Sequence, residues 1–187
     1  MNEQELALIN RAKELATRWH LGQTRKYNGA PYIMHPERVA ARVAALPNAS
    51  AVMIAAAWLH DTVEDCGISP EAIAHELGPE HGPAVAGLVD ELTNKSKSLT
   101  PMPPRAERKR IDRERLRAAS PGAKRIKMVD RLDNLRDLAQ VAGQEAFLAL
   151  YRAESLDLLQ AVGDADPSLR EELAEAARGR GARSVGL

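Results

Sequence analysis

Apolar residues recur at three- and four-residue steps along most of the chain, and no stretch sustains a period of two, which predicts helices and no sheet. Leu6, Ile9, Ala12, Leu15, Ala16 and Trp19 make one apolar stripe, so a first helix is expected from Glu3 to about His20. Gly22, Asn28, Gly29 and Pro31 then punctuate a loop. Pro36 suits the first turn of a second helix that runs to about Leu46, where Pro47 and Asn48 break it. Ser50 can cap a third helix from Ala51 to about Glu64. That helix is apolar nearly all round and belongs at the centre of the fold. Ser69 and Pro70 read as N-cap and first residue of a short helix to Leu77, ended by Gly78. Another helix is expected from about Gly82 to Thr93. The segment from Asn94 to Pro104 is polar, carries three prolines and reads as a mobile surface loop. Ser120 and Pro121 repeat the cap signature before a helix through Leu138. Helices from about Gln144 to Val162 and from Pro167 to Arg178 close the chain, with a frayed tail after Gly179. The expectation is an all-α single domain over residues 1–187, with its core between about residues 5 and 162 and no internal repeat.

Composition supports that class. Alanine and leucine are abundant, and only six residues are Phe, Trp or Tyr. Lys plus Arg number 26 and Asp plus Glu number 26, so no global field draws in nucleic acid or an anionic membrane. An anionic ligand must be held by a local cluster instead. Cys66 is the single cysteine, which excludes an internal disulfide and suits a reducing compartment. The opening residues are acidic and lack the basic and apolar regions of a secretion signal. The longest apolar run, Ala51 to Leu59, is nine residues, against the roughly 20 a membrane helix needs. A cytoplasmic protein with no nucleic-acid or membrane partner is expected. Its apolar helix faces could pack within the domain or against a second copy, so the oligomeric state stays open.

The chemistry concentrates in Trp58-Leu59-His60-Asp61-Thr62-Val63-Glu64-Asp65. This run begins on a helix too apolar to face water and then places four ligating or acidic groups in six residues. A buried, unpaired carboxylate is costly, so such groups need a metal or another cation as partner. Neighbouring His and Asp side chains project about 100° apart on a helix and can both converge on one ion at its edge. Glu64 lies one turn from His60 and Asp61 and shares their face. Two separate pieces look like further ligands: His35, just before a helix in Pro31-Tyr32-Ile33-Met34-His35-Pro36, and Asp130, on an amphipathic helix in Lys127-Met128-Val129-Asp130-Arg131. Two imidazoles and two carboxylates suit octahedral Mn²⁺ or Fe²⁺ with positions left open for water and substrate; Zn²⁺ more often takes four ligands.

The same pieces resemble the HD hydrolase domain of the RelA/SpoT family, most of all its small single-domain alarmone hydrolases. The matching segments are residues 20–26 (His-Leu-Gly-Gln-Thr-Arg-Lys), 29–36 (Gly-Ala-Pro-Tyr-Ile-Met-His-Pro), 56–65, 88–93 and 127–135, together covering roughly residues 5 to 140. The resemblance implies a helical fold, an Mn²⁺ cofactor and removal of the 3′-pyrophosphate from guanosine tetra- or pentaphosphate. It makes His35, His60, Asp61 and Asp130 the metal ligands and Glu64 and Asp65 the catalytic acids, with no choice between these two as base or acid. It places Arg25 and Lys26 at the nucleotide. A guanidinium can stack on a base or grip phosphate with two bonds, and an ammonium is a compact charge for phosphate. Asn134, one turn beyond Asp130, can reach the ligand, and Tyr151, followed by Glu154 as in the small members, packs on the nucleoside or in the core.

Residues 105–127 carry ten Lys or Arg against three Asp or Glu, which makes either an electrostatic funnel for pyrophosphate or a solvated helix face. Arg108, Lys109 and Lys127 are the members that matter first. The chain departs from the family in having Asp133 where His is usual and Cys66 where Thr is usual. Asp133 adds negative charge near the site, whereas Cys66 reads as an inert small residue. The chain ends before the synthetase domain of the long members, so hydrolysis without synthesis is expected. A phosphatase for another phosphorylated nucleotide such as NADPH, and a metal-binding regulatory module without turnover, are the competing readings.

Overall fold

The computed structural model describes residues 1–26 and 28–180. Among them are ten α-helices, one 3₁₀ turn and no strand, as the apolar periodicity predicts. The helices are α1 (Glu3–Trp19), α2 (Met34–Ala44), α3 (Ala51–Leu59), α4 (Thr62–Cys66), α5 (Pro70–Leu77), α6 (Gly82–Leu92), α7 (Arg105–Arg117), α8 (Pro121–Ala139), α9 (Glu145–Val162) and α10 (Pro167–Ala177). The expected tail lies, from residue 181 on, outside the described residues. No helix among the described residues is long and apolar enough to cross a membrane.

The local signals act as expected. Asn2 and Glu5 form a reciprocal capping box at the start of α1, with bonds of 2.8 and 2.9 Å. Ser50, Ser69 and Ser120 accept hydrogen bonds from the backbone N–H groups of Met53, Ala72 and Ala123. These caps start α3, α5 and α8, the latter two with Pro in their first turn. Eight of the nine residues of α3 are buried, and the helix packs against α1, α2, α6 and α8. Burying each Leu or Ile side chain there contributes about 1.5–3 kcal/mol. Helices α5 and α6 meet so closely at Gly82 that a Cβ on it would lie 2.1 Å from the Ala74 carbonyl oxygen, which reserves the position for glycine.

Two expectations are corrected. The third helix does not run on to Glu64 but stops at Leu59, and α4 restarts at Thr62. The interruption has a local cause. His60 Nδ1 donates to the Ala57 carbonyl (2.8 Å) and the Thr62 hydroxyl to the Leu59 carbonyl (2.7 Å), so side chains occupy acceptors the helix would use. Gly67, at φ 68°, then ends α4 in the left-handed region. The segment from Asn94 to Pro104 is not wholly a surface loop either. Residues Lys95–Ser98 form a 3₁₀ turn whose Ser96 is buried, its N–H and hydroxyl bound to Asp112 at 3.2 and 2.6 Å. The basic stretch, for which the apolar pattern sets no helix bounds, folds as α7 and the first turns of α8.

Candidate metal centre and active site

Three separate segments bring four donor atoms together. His35 stands in the first turn of α2 and is fully buried. An isolated antiparallel bridge precedes it: Thr24 pairs with Pro31, and Tyr32 N donates to the Gln23 carbonyl at 2.9 Å. His60 and Asp61 occupy the turn between α3 and α4. Asp130 comes from the middle of α8. His60 Nε2 lies 3.2 Å from His35 Nε2, 3.2 Å from Asp61 Oδ2 and 3.8 Å from Asp130 Oδ1. His35 Nε2 lies 3.6 Å from Asp61 Oδ2 and 3.3 Å from Asp130 Oδ1.

The outer nitrogens decide what this cluster wants. His35 Nδ1 faces Asp133 Oδ2 at 2.6 Å, and His60 Nδ1 faces the Ala57 carbonyl at 2.8 Å. Both partners only accept, so both Nδ1 atoms carry the proton. Each neutral ring then turns an Nε2 lone pair toward the other and toward two carboxylate oxygens, with no donor among the four atoms. Such a set repels itself unless a cation sits at its centre. Metal–ligand bonds of about 2.1 Å put neighbouring donors roughly 3.0–3.4 Å apart, close to the spacing among His35, His60 and Asp61, and Asp130 Oδ1 stands beside the two imidazoles. The residues therefore fit a divalent metal.

The electrostatics agree. Burial opposes charge on both imidazoles, yet the carboxylates outweigh it. Asp130 and Asp133 hold His35 above its ordinary pKa, and Asp61 and Asp130 hold His60 well above it. Burial likewise opposes ionisation of Asp61 and Asp130. His60 nevertheless keeps Asp61 below the usual carboxylate range, and Lys127 with both imidazoles does the same for Asp130. The cluster thus attracts positive charge, from protons or from a metal.

Glu64 and Asp65 flank the cluster on α4 but face different neighbours. Glu64 Oε1 accepts from the backbone and side-chain N–H of Asn94 at 2.8 and 2.7 Å, and Oε2 pairs with Lys97 at 2.8 Å. Asp65 Oδ2 lies 2.7 Å from the Tyr32 hydroxyl, which is also 2.7 Å from Asp61 Oδ2. The Tyr32 hydroxyl thus stands between the two carboxyl groups as their shared donor. Burial and the nearby Asp61 charge push the Asp65 carboxyl up. The Tyr32 ring is fixed by the His20 imidazole stacked at 4.7 Å and by the Arg25 guanidinium 5.4 Å from its centroid.

Arg25 is held next to the centre. It donates to Asn134 Oδ1 at 2.6 Å and pairs with Asp137 at 3.2 Å, while Asn134 donates to Asp130 Oδ1 at 2.5 Å. Lys26 is exposed. Tyr151 packs against the core with the Arg131 guanidinium 4.2 Å from its ring centroid, and Glu154 grips Arg105 with two bonds of 2.7 and 2.8 Å. Several cations of the basic stretch are paired with distant acids, Arg113 with Asp157, Lys124 with Asp164 and Arg125 with Asp166. Arg110 and Arg117 are exposed on α7 and pair with Glu107 and Glu114 on the same helix. Lys109, Lys127 and Arg131 face inward behind Asp130. Lys127 Nζ lies 2.9 Å from Asp130 Oδ2. Arg131 is 5% exposed, and its Nε and Nη1 have no hydrogen-bond partner. Burial, then the charges of Arg131 and Lys127, push Lys109 down to about 8. Tyr32, Arg38, Asp137 and Arg131 escape a reading of the sequence, because their parts depend on partners far away in the chain.

This fold and cluster define a class. The model of the HD domain family matches residues 12–162, and the chain belongs to that family. Its similarity to RelA/SpoT proteins and their small hydrolases holds in the comparisons with individual proteins. The chain is 39% identical to guanosine-3′,5′-bis(diphosphate) 3′-pyrophosphohydrolase MESH1 of Homo sapiens over 138 residues, 72% of this chain and 71% of that one. It is 38% identical over 135 residues to a probable GTP pyrophosphokinase of Mycobacterium leprae, a match covering 71% of this chain and 16% of that protein. A solved structure described as a metazoan ortholog of SpoT that hydrolyses ppGpp superposes with a TM-score of 0.79 at 32% identity, covering 94% of this chain and 96% of that one.

Proposed function

We propose that this chain removes the 3′-pyrophosphate from guanosine tetra- or pentaphosphate, by the reaction ppGpp + H₂O → GDP + diphosphate. One observation carries the reading: two imidazoles and two carboxylates converge beside the acids Glu64 and Asp65, in a chain whose similar proteins bear that activity in their names. On this reading His35, His60, Asp61 and Asp130 hold one divalent ion, Mn²⁺ before Fe²⁺ or Zn²⁺, given the mixed nitrogen and oxygen set. When bound, the ion supplies Lewis-acid polarisation of a phosphoryl oxygen and acidifies water.

The remaining steps belong to side chains. Water attacks the phosphorus joined to the ribose 3′ oxygen, the P–O bond breaks, and that oxygen takes up a proton. Glu64 and Asp65 carry the protons. Asp65, whose carboxyl is pushed up by burial, suits donation to the leaving oxygen, and Glu64 suits acceptance from water. Lys109, Lys127 and Arg131 offer positive charge to the phosphates, with unpaired N–H groups already on Arg131. Arg25 and Lys26 take the nucleotide, Asn134 ties Arg25 to Asp130, and Tyr151 lines the nucleoside side. The partner is thus a small nucleotide, and the half-buried free thiol of Cys66 supports a cytoplasmic setting.

The test incubates purified protein with Mn²⁺ and a nucleotide panel. Diphosphate and GDP from the alarmone support the reading. Inorganic phosphate from NADPH with an intact alarmone replaces it with a phosphatase, and no product from any nucleotide replaces it with a regulatory module.

A further inference from the structure

Asp133 stands outside the four-donor cluster, and its side chain is 5% exposed. Its Oδ2 lies 2.6 Å from His35 Nδ1 and 2.7 Å from Arg38 Nη2, and its Oδ1 lies 2.7 Å from Arg38 Nε. Arg38 therefore clamps both oxygens while leaving one turned to the imidazole. Arg38 Nη2 also reaches Asp137 at 2.9 Å, and Asp137 pairs with Arg25 at 3.2 Å. Through Asn134 this line of side chains returns to Asp130, so it begins at one donor of the cluster and ends at another.

We propose that Asp133, clamped by Arg38, is the positioning residue that locks the His35 ring with its proton on Nδ1 and its Nε2 lone pair toward the metal. This rests on reading the cluster as a metal centre. A carboxylate accepts and never donates, so it admits one tautomer of the facing ring and raises the basicity of the opposite nitrogen. Buried without a cation, that carboxylate would be costly, and Arg38 supplies the charge through a bidentate fork. Histidine at position 133, usual in the family this chain resembles, offers at most one acceptor nitrogen and cannot serve Arg38 and His35 together. Asp133 and Arg38 thus form a matched pair. An Asn at position 133 can still accept from His35, but must turn its NH₂ against Arg38.

The experiment is a calorimetric Mn²⁺ titration of the metal-free chain and its variants, with thermal unfolding alongside. Asp133→Leu is expected to weaken Mn²⁺ binding by about 10–100-fold, the usual effect of losing such an outer partner. Asp133→Asn should weaken it less. At pH 9 the Nδ1–H signal of His35 in metal-free protein should vanish in Asp133→Leu. Arg38→Gln keeps Asp133 but loosens its clamp, so it carries the same test should Asp133→Leu not fold, with severalfold weaker binding expected. Lower thermal stability with unchanged Mn²⁺ affinity and an unchanged His35 signal would reduce Asp133 to a structural ion pair and overturn the proposal. Because affinity rather than turnover is read, a parent chain that binds Mn²⁺ yet leaves the alarmone intact overturns the substrate reading and not this one.

Discussion

The Tyr32 hydroxyl lies 2.7 Å from Asp65 Oδ2 and bridges it to Asp61 Oδ2 at the same distance. It thereby couples an acid proposed for proton transfer to a proposed metal ligand. Tyr32→Phe removes the bridge and leaves two carboxyl groups facing each other. A fall in kcat of about 10–100-fold is expected, the kinetic equivalent of the roughly 1.5–3 kcal/mol a hydrogen bond to a charged group supplies. KM should change little. Diphosphate release at saturating substrate measures it, and an unchanged kcat would remove Tyr32 from the reaction.

Asp130 neutralises Lys127 as well as completing the cluster. Asp130→Ala should abolish Mn²⁺ binding and turnover together, because it deletes a donor and leaves a buried ammonium facing two imidazoles. Calorimetry and product analysis on the folded variant check this. Full retained turnover would show that the ligand set is wrong.

Glu64 is bound to Asn94 and Lys97 and makes none of the short contacts that join the four donors. Glu64→Gln should therefore keep Mn²⁺ affinity while lowering turnover by roughly 10²-fold or more, as loss of an acid–base group does. Equal loss of metal and activity would assign Glu64 to the cluster instead.

Acid sensitivity follows from Asp133. His35 and Arg38 hold its carboxyl down at about 2 against an ordinary 3.8, although burial pushes the other way. A depressed carboxylate contributes stability that is present above the unfolded value and is lost as pH falls through the folded one. The contribution is about 2 kcal/mol at 1.36 kcal/mol per pKa unit. The stability gap between the parent and Asp133→Asn, read by urea unfolding, should be widest near neutrality and close between pH 4 and 2. A gap constant with pH would detach Asp133 from this linkage.

Much of the fold is legible because local chemistry decides it. Ser50, Ser69 and Ser120 start helices by capping, and the all-apolar α3 goes to the middle. His60 and Asp61 stand out as candidates for a related reason: they follow an apolar run that has no use for them unless they bind something. The geometry that joins them is not written in periodicity. The break after Leu59 depends on one hydroxyl and one imidazole capturing carbonyls. Ser96 is buried despite its polar segment because Asp112, sixteen positions on, satisfies it. Asp133 reads only as negative charge added near the site until Arg38, 95 residues away, is seen to grip it. Arg131 gives no signal in the sequence, and only its burial over Tyr151 brings it to notice.

The Thr62 hydroxyl bond to the Leu59 carbonyl gives one small group, beside the His60 imidazole, a share in setting helical phase. Valine has nearly the same shape but nothing to donate, so it would free that carbonyl and invite α3 to wind straight into α4. Each residue wound on turns the following side chains by about 100°. Asp61 and Asp65 would then leave their directions together, although neither had been altered. A single methyl in place of an oxygen, at a position that touches neither metal nor nucleotide, can therefore disassemble the centre by rewinding the rod that carries it.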